Sequence, residues 1–263
     1  MHRACLVLSC SPRAGGNSDT AARLFCRAFE QGSARPGRNA FDHDEPGHVG
    51  SVHDGLDHNG RAHSKIGQGE TDVDAPKRTL AFYLRDYALS PCTACDACER
   101  AALDLKIRPG HLSLRDLFNE KPFPCPAAAR DDGLALLRAP AEARELCIVS
   151  PVYFYHLPAQ LKALLDRMQL FRAMREHGHR LFHGPERLCR IILIGGRTRG
   201  AKLFAGSLLS LKYALATMRV KTVEPLLLYG LDAADALRGN REAAERIKAY
   251  GREAGAAAVG DLE

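Results

Sequence analysis

Tryptophan is absent from the sequence, and aromatic residues make up only 6% of it, a shortage that leaves function open. Long apolar stretches are missing too. No segment approaches the ~20 apolar residues of a membrane-spanning helix, so no membrane partner is expected. The opening run, Ala4 to Leu8 within "MHRACLVLSC", is shorter than the ~7–15 apolar residues of an export segment. The expected location is therefore the cytoplasm. Two phosphate motifs are lacking as well. Without G-x-x-x-x-G-K-[ST] the chain is not an NTPase P-loop protein, and without G-x-G-x-x-G a Rossmann dinucleotide fingerprint is disfavoured. No nucleic-acid motif occurs, so the formal net charge of +6 reads as solubility, or as mild attraction for anionic small molecules.

What is present is an ordinary globular composition, with 46% apolar and 26% charged residues, enough to build a core. Short apolar runs alternate with helical patterns, which signals a parallel α/β sheet. Strands are expected at 4–10, 78–84, 144–150, 187–196 and 223–229. Helices are expected at 18–32, from Pro158 onward, at 201–218 and from Asn240 onward, the last with Asn240 as N-cap. Five strands with crossover helices make a single doubly wound domain over 1–263, whose ligands bind beyond the carboxyl ends of the strands.

Two insertions interrupt this rhythm. Residues 33–77 are rich in Gly, Asp and His, with His43, His48, His53, His58 and His63 recurring every five residues. Period five matches neither a helix face nor a strand face, so a flexible loop is expected there, with a metal-binding tract as the alternative. The second insertion, 99–124, carries "LSLRDLF", which suggests one short helix.

The loop after the first strand, "SCSPRAGGNSDTAARLF", joins strand directly to helix. Gly15 and Gly16 permit close backbone approach, Asn17 and Ser18 are candidate caps, and the helix N-terminus favours a phosphate. Ser9, Ser11 and Arg13 add hydroxyls and charge. An ordinary capped βα loop is the plainer alternative. After the third strand, "SPVYFYHLPAQLKALLDRM" presents Pro151, Val152, Tyr153 and Phe154 at the same rim. These residues suit the edge of a flat heteroaromatic ring, or else simply cover a helix end.

Nine cysteines is an odd count. With no export signal they read as metal ligands or buried thiols rather than a disulfide framework. Cys5, Cys10, Cys26, Cys147 and Cys189 sit in apolar or periodic segments and are expected in the core. The others cluster: "SPCTACDACERAA" holds Cys92, Cys95 and Cys98 at C-x2-C-x2-C, and Cys125 stands in "PFPCPAAARDD". One short loop supplying three thiolates with a remote fourth suits a cubane. Zinc more often takes two separated C-x2-C pairs. A [4Fe–4S] cluster on the segment 90–126, a zinc ion and a metal-free thiol site remain the three readings.

Two of these motifs resemble a known family. "CSPRAGGNSDTAARL" is similar to the flavin-phosphate loop of the NADPH-dependent FMN reductase branch of flavodoxin-like proteins, and "SPVYFYHLPAQLKALLDR" looks like that branch's S-P-x-Y…Q-x-K-x-x-x-D-R segment. The cysteine motif resembles that of the iron–sulfur flavoproteins, where a fourth Cys precedes a D-D pair, here Asp131-Asp132. The 26 residues between Cys98 and Cys125, at 99–124, depart from that pattern. The resemblance implies a flavodoxin-like sheet of order 2-1-3-4-5. It implies FMN phosphate held by Ser11, Arg13, Asn17 and Ser18, the ring lined by Pro151 to Phe154, and Gly195, Gly196 and Arg197 closing the other side. Gln160, Lys162, Asp166 and Arg167 match the family segment in structural or interface roles.

The resulting expectation is an FMN oxidoreductase that passes electrons between NAD(P)H or ferredoxin, FMN and a [4Fe–4S] cluster, working as a homo-oligomer. Its alternatives are a cluster-free NAD(P)H-dependent FMN or quinone reductase and a non-catalytic flavin- or metal-sensing module. The Arg- and His-rich stretch 172–187 reads as a solvated loop or as a guide for an anionic nucleotide.

Overall fold

The first strand, β1 (Cys5–Ser9), is five apolar or small residues, all buried, and a run buried on both faces needs helices above and below. The computed structural model describes residues 5–34, 54–56, 62–64, 78–106 and 112–260. Helix α1 (Asn17–Gly32) follows, then a small antiparallel hairpin, β2 (Asp54–Leu56) with β3 (Ala62–Ser64). The sheet resumes at β4 (Thr79–Tyr83), which ends in a 3-10 turn at Leu84–Asp86. The cysteine segment leads into α2 (Ala97–Lys106) and α3 (Leu114–Asn119), the short helix expected from "LSLRDLF". A 3-10 turn at Pro126–Ala129 precedes α4 (Gly133–Glu142) and β5 (Glu145–Pro151). Next come α5 (Ala159–Arg167), α6 (Gln169–Glu176), β6 (Arg187–Ile194) and α7 (Ala205–Ala216). The chain closes with β7 (Val220–Thr222), β8 (Leu226–Leu228) and α8 (Arg241–Gly260).

All pairings within the main sheet are parallel, and the order is β4-β1-β5-β6 with β7 and β8 both on the outer edge of β6. This is the doubly wound 2-1-3-4-5 arrangement. The fifth position departs from the single strand expected at 223–229. Of that run only β8 is strand; β7 lies before it, Val223 N–H still donates to the Cys189 carbonyl at 3.1 Å, and Pro225 between the two pieces has no N–H to donate. The tract 33–77 lies outside the described residues except for Ser33, Ala34 and the β2–β3 hairpin, so its expected flexibility and its histidine spacing are not among the structural findings. No helix among the described residues is long and apolar enough to cross a membrane.

Alternation along each strand sorts the core into two layers. Cys5, Val7, Cys147 and Val149 face α1 and α8, whereas Leu6, Leu8, Leu146 and Ile148 face the layer holding α4 to α7. All nine cysteines are free thiols. Cys5, Cys10, Cys147 and Cys189 are fully buried, as the sequence suggests, and burial pushes each thiol upward from its ordinary pKa. Cys26 is partly exposed, yet burial still pushes it up, to about 11.

Helices α1 and α8 meet along a glycine seam. A Cβ on Gly255 would lie 2.8 Å from the Ser33 nitrogen and collide with the Phe29 carbonyl, and one on Gly251 would lie 2.8 Å from the Phe25 carbonyl. The approach of the two backbones therefore depends on side chains being absent there. At its other end α8 starts as expected, with Asn240 Oδ1 accepting from the Ala243 N–H at 3.0 Å.

Candidate functional site

Three loops meet at the carboxyl edge of the sheet, because β1, β5 and β6 are adjacent and parallel. Cys10 N–H donates to the Val149 carbonyl at 2.8 Å, and Val152 N–H donates to the Ile194 carbonyl at 2.9 Å. The segments 10–16, 151–157 and 195–200 are thereby tied side by side.

In the first loop, Arg13 N–H donates to Ser11 Oγ at 3.1 Å, which turns the chain and leaves the Arg13 side chain exposed. Gly15 has φ +69, and a Cβ there would meet nothing within 4 Å. The helix begins one residue earlier than the caps expected from sequence. Gly16 occupies the N-cap position of α1, and no side chain caps the first-turn N–H groups. Asn17 is thus the first helical residue, and its side chain is engaged elsewhere. Its Nδ2 donates to the carbonyls of Leu231 (3.2 Å) and Ala233 (2.7 Å), and its Oδ1 accepts from Leu237 N–H at 2.9 Å. Ser18 is buried. Ser9 is also displaced from the phosphate role, since its hydroxyl lies in the interior and donates to Asp19 Oδ1 at 2.7 Å. What remains open to an anion is the uncapped helix end, the Arg13 side chain and the space beside Gly15, while Ser11 is buried with its Oγ accepting from Arg13 N–H.

Sequence reasoning missed the support beneath this loop. Asp19 is 1% exposed. It accepts from Ser9, from Gly15 N–H at 2.7 Å and from both Arg85 terminal nitrogens at 2.9 Å. An aspartate in the first turn of a helix that follows a glycine pair was the available signal. Arg85 was hidden by lying 66 residues away.

The second loop folds back on itself. Tyr153 and His156 exchange both backbone hydrogen bonds at 2.9 Å. The two central residues, Phe154 (φ +49) and Tyr155 (φ +65), are left-handed, positions that glycine and asparagine usually fill. Phe154 is 100% exposed. Arg197 from the third loop lies over the Tyr155 ring at 5.5 Å, while Gly195 and Gly196 lie against Leu203 and Asp232. Backbone strain of this kind gathers at functional sites. Phe154 has no packing to lose, so Phe154→Gly is expected to raise stability by about 0.5–1 kcal/mol. The rise should appear as a higher Tm in thermal melts.

The cysteine segment forms a second centre on the far side of β4. Cys92, Cys95, Cys98 and Cys125 all line one cavity of about 650 Å³, together with Arg167 and Arg172. Around Cys95 the backbone is left-handed at Ala94 (φ +52) and Asp96 (φ +56). Such alternation curls successive N–H groups into the kind of concavity that holds anions and iron–sulfur clusters. A hydrogen bond with Cys98 holds Cys125 well below the ordinary thiol pKa, helped by the Arg167 charge and by the Ala127 and Ala128 N–H groups. The same bond, with burial, pushes Cys98 up. Among the described residues no three His, Cys, Asp or Glu side chains stand ready to hold a metal ion, which supports neither the zinc ion nor the [4Fe–4S] cluster expected on Cys92, Cys95, Cys98 and Cys125.

The helix α2 that carries Cys98 is braced by part of the stretch 172–187, which begins as the end of α6 and runs out into an exposed loop at 183–186. Glu99 accepts from Arg172 and pairs with His177 at 2.9 Å, and His179 meets the Ala102 carbonyl at 2.8 Å. Of the residues expected to be structural, Gln160 donates to the Tyr87 carbonyl at 2.8 Å and Lys162 pairs with Asp166 at 2.6 Å. Arg167 is structural as well, fully buried and paired with Asp131 at 2.9 Å, and it borders the cysteine cavity.

A parallel doubly wound sheet places its ligand crevice beyond the carboxyl ends of its strands, where the uncapped N-terminus of α1 lies. The chain belongs to the family described as having the flavodoxin-like fold, whose model matches residues 104–251. No curated protein matches it in sequence. Similar solved structures include an azoreductase from Bacillus anthracis str. Sterne, with TM-score 0.51 and 10% identity, covering 99% of this chain and 100% of that one. An FMN-dependent NADH-azoreductase from Bacillus anthracis str. Ames Ancestor, in complex with FMN, has TM-score 0.51 and 11% identity, covering 95% and 99%. RosB with a bound 8-demethyl-8-formylriboflavin-5'-phosphate intermediate has TM-score 0.52 and 11% identity, covering 98% and 79%. At these identities the likeness is one of fold.

Proposed function

We propose that this chain is an FMN-dependent oxidoreductase that draws reducing equivalents from NAD(P)H. The observation that carries this reading is the meeting of an uncapped helix end, the open space at Gly15 and the strained aromatic turn at Phe154–Tyr155 along one sheet edge. The flavin proteins among its structural neighbours support the same reading.

The residues present fit FMN. The first-turn N–H groups of α1 and Arg13 would hold the phosphate, where backbone donors and helix dipole favour a dianion. Val152, Tyr153 and Phe154 would flank the ring, with Gly195 to Arg197 opposite. Asn17 acts indirectly by fastening the 231–237 segment to the loop, and Asp19 does so by holding Gly15 in place. Bound flavin accepts a hydride and can release electrons singly, so the protein's task is to orient and shield rather than to supply an acid or base.

A finer reading adds a [4Fe–4S] cluster on Cys92, Cys95, Cys98 and Cys125. The family match and the neighbours named above do not bring such a cluster with them. Its support is the shared cavity, the left-handed residues either side of Cys95 and the nearby guanidinium groups, which suit an anionic thiolate cluster. A homo-oligomeric working unit is proposed on the exposed Leu209 and Tyr213 of α7 and the bare Phe154.

Protein isolated without oxygen and supplied with FMN tests the proposal. One FMN bound per chain, with its visible bands bleached by NAD(P)H, is the expected outcome. A chain that stays colourless and takes up no FMN overturns it, and bound flavin that NAD(P)H leaves oxidised favours the sensing module. About four iron and four sulfide per chain would add the cluster.

A further inference from the structure

The stretch 231–240, between β8 and α8, holds none of the site residues expected from sequence, yet it is fastened to the loop after β1. Asn17 grips the Leu231 and Ala233 carbonyls and the Leu237 N–H. Leu231 N–H donates to the Gly195 carbonyl at 3.1 Å, and the Leu231 and Leu237 side chains are buried in the layer of α1 and α8. A turn held in this way delivers the next side chain, Arg238, to a fixed place. Its Nη2 donates to the Gly15 carbonyl at 3.3 Å.

The left-handed Gly15 is therefore held from two sides, since its N–H donates to Asp19 Oδ2 at 2.7 Å. The neighbouring Gly16 lies between the Arg13 stem and the 231–240 stretch: a Cβ there would lie 3.5 Å from Arg13 Cδ and 3.6 Å from the Ala234 carbonyl. Two arginines that are far apart in sequence thus border one turn, and both are exposed. Among the described residues neither guanidinium is paired with a carboxylate. Asp19 is taken up by Ser9, Gly15 and Arg85, and Asp232 lies against Gly196. Arg238 uses one of its guanidinium N–H groups on Gly15 and keeps the others available for a ligand.

Charge gives those free donors a task. A phosphomonoester carries a charge of about −1.5 to −2 at neutral pH. Arg13 and the α1 dipole, the latter worth roughly half a charge, fall short of a full dianion. We propose that Arg238 joins Arg13 as a second binding residue for the FMN phosphate, and that the pair makes this protein select the phosphorylated flavin over riboflavin. The inference rests on the FMN reading above. A guanidinium suits the task because its planar fork matches phosphate oxygens.

The test measures FMN and riboflavin affinities of the full-length apoprotein by flavin fluorescence quenching, for wild type, Arg238→Gln, Arg238→Lys and Arg13→Gln, with a melting curve for each. Wild type is expected to bind FMN about 100-fold more tightly than riboflavin, as two charge-assisted contacts allow. Arg238→Gln should lose about 10-fold in FMN affinity, with riboflavin affinity within about twofold of wild type. Arg238→Lys should fall between the two, since an ammonium keeps the charge and loses the fork. A brace for Gly15 and nothing more would move both flavins alike, so an equal loss for FMN and riboflavin overturns the proposal. An undiminished FMN preference in Arg238→Gln, with the preference reduced in Arg13→Gln, overturns the role of Arg238 alone. Wild-type protein that binds neither flavin overturns the FMN reading, and this role with it.

Discussion

Replacing Asp19 with alanine is expected to lower stability by about 2–3 kcal/mol. The carboxylate satisfies the Ser9 hydroxyl, the Gly15 N–H and the Arg85 fork. Deleting it strands the buried Ser9 hydroxyl and releases the Gly15 N–H and the Arg85 fork, both of which are only partly buried. Breaking a buried ion pair typically costs about 3–5 kcal/mol. Arg85 keeps 19% side-chain exposure and a second carboxylate, Asp86, at 3.7 Å, which places the effect at or below the lower end. In a chain of this size that corresponds to a Tm lower by roughly 4–12 °C. FMN affinity should fall as well, because Gly15 is no longer held and the phosphate loop loosens. Isothermal titration with FMN checks that part. Tighter binding in Asp19→Ala would mean that relief of charge repulsion outweighs loop order, and this account of the loop would be wrong.

The second large effect is expected at Gly255, where two simple arguments oppose each other. Helix propensity alone predicts that Gly255→Ala stabilises α8 by about 1 kcal/mol. The seam predicts the reverse, because the new methyl would press on the Phe29 carbonyl and the Ser33 nitrogen, neither of which is a flexible side chain. Overpacking of this kind costs about 1–3 kcal/mol and occasionally more. We expect the seam to win, with a net loss of about 2 kcal/mol. Gly239→Ala, whose Cβ would meet nothing within 4 Å, is the control and should be close to neutral. Because α1 carries the phosphate cradle at its other end, Gly255→Ala should also weaken FMN binding. Urea titration monitored by circular dichroism, with flavin fluorescence alongside, separates the two effects. A stabilised Gly255→Ala would show that the helices can part at little expense.

The strands were legible because a sheet buried on both faces demands continuous apolar runs, and β1, β5 and β6 supply them. The fifth strand was less so. "VEPLLLY" reads as one run, whereas only its Leu226–Leu228 joins β6, and a separate piece before it, Val220–Thr222, shares the same edge. The loop proposed for phosphate stood out by its glycines and hydroxyls, but the partners of its side chains did not. Ser9 and Asn17 have the right chemistry for an anion and spend it on Asp19 and on the 231–237 backbone. No local pattern could reveal that, since the Asn17 partners lie more than 200 residues away.

The cysteine site shows the same division. Spacing identified Cys92, Cys95 and Cys98, and the Cys-Pro and Asp-Asp pairs pointed to Cys125. All four then appear around one cavity despite the intervening 99–124 segment. Arg167 stood in a recognisable motif and its structural role was legible, but its partners Ser90 and Asp131 reach it only in the folded chain.

Helix α5 begins just past the aromatic turn and ends at Arg167. Its nine residues make a rod about 13 Å long, with the proposed flavin edge near its first turn and the thiol pocket at its last. The spacing of the two centres within one subunit is therefore set by helical geometry rather than by a hinge.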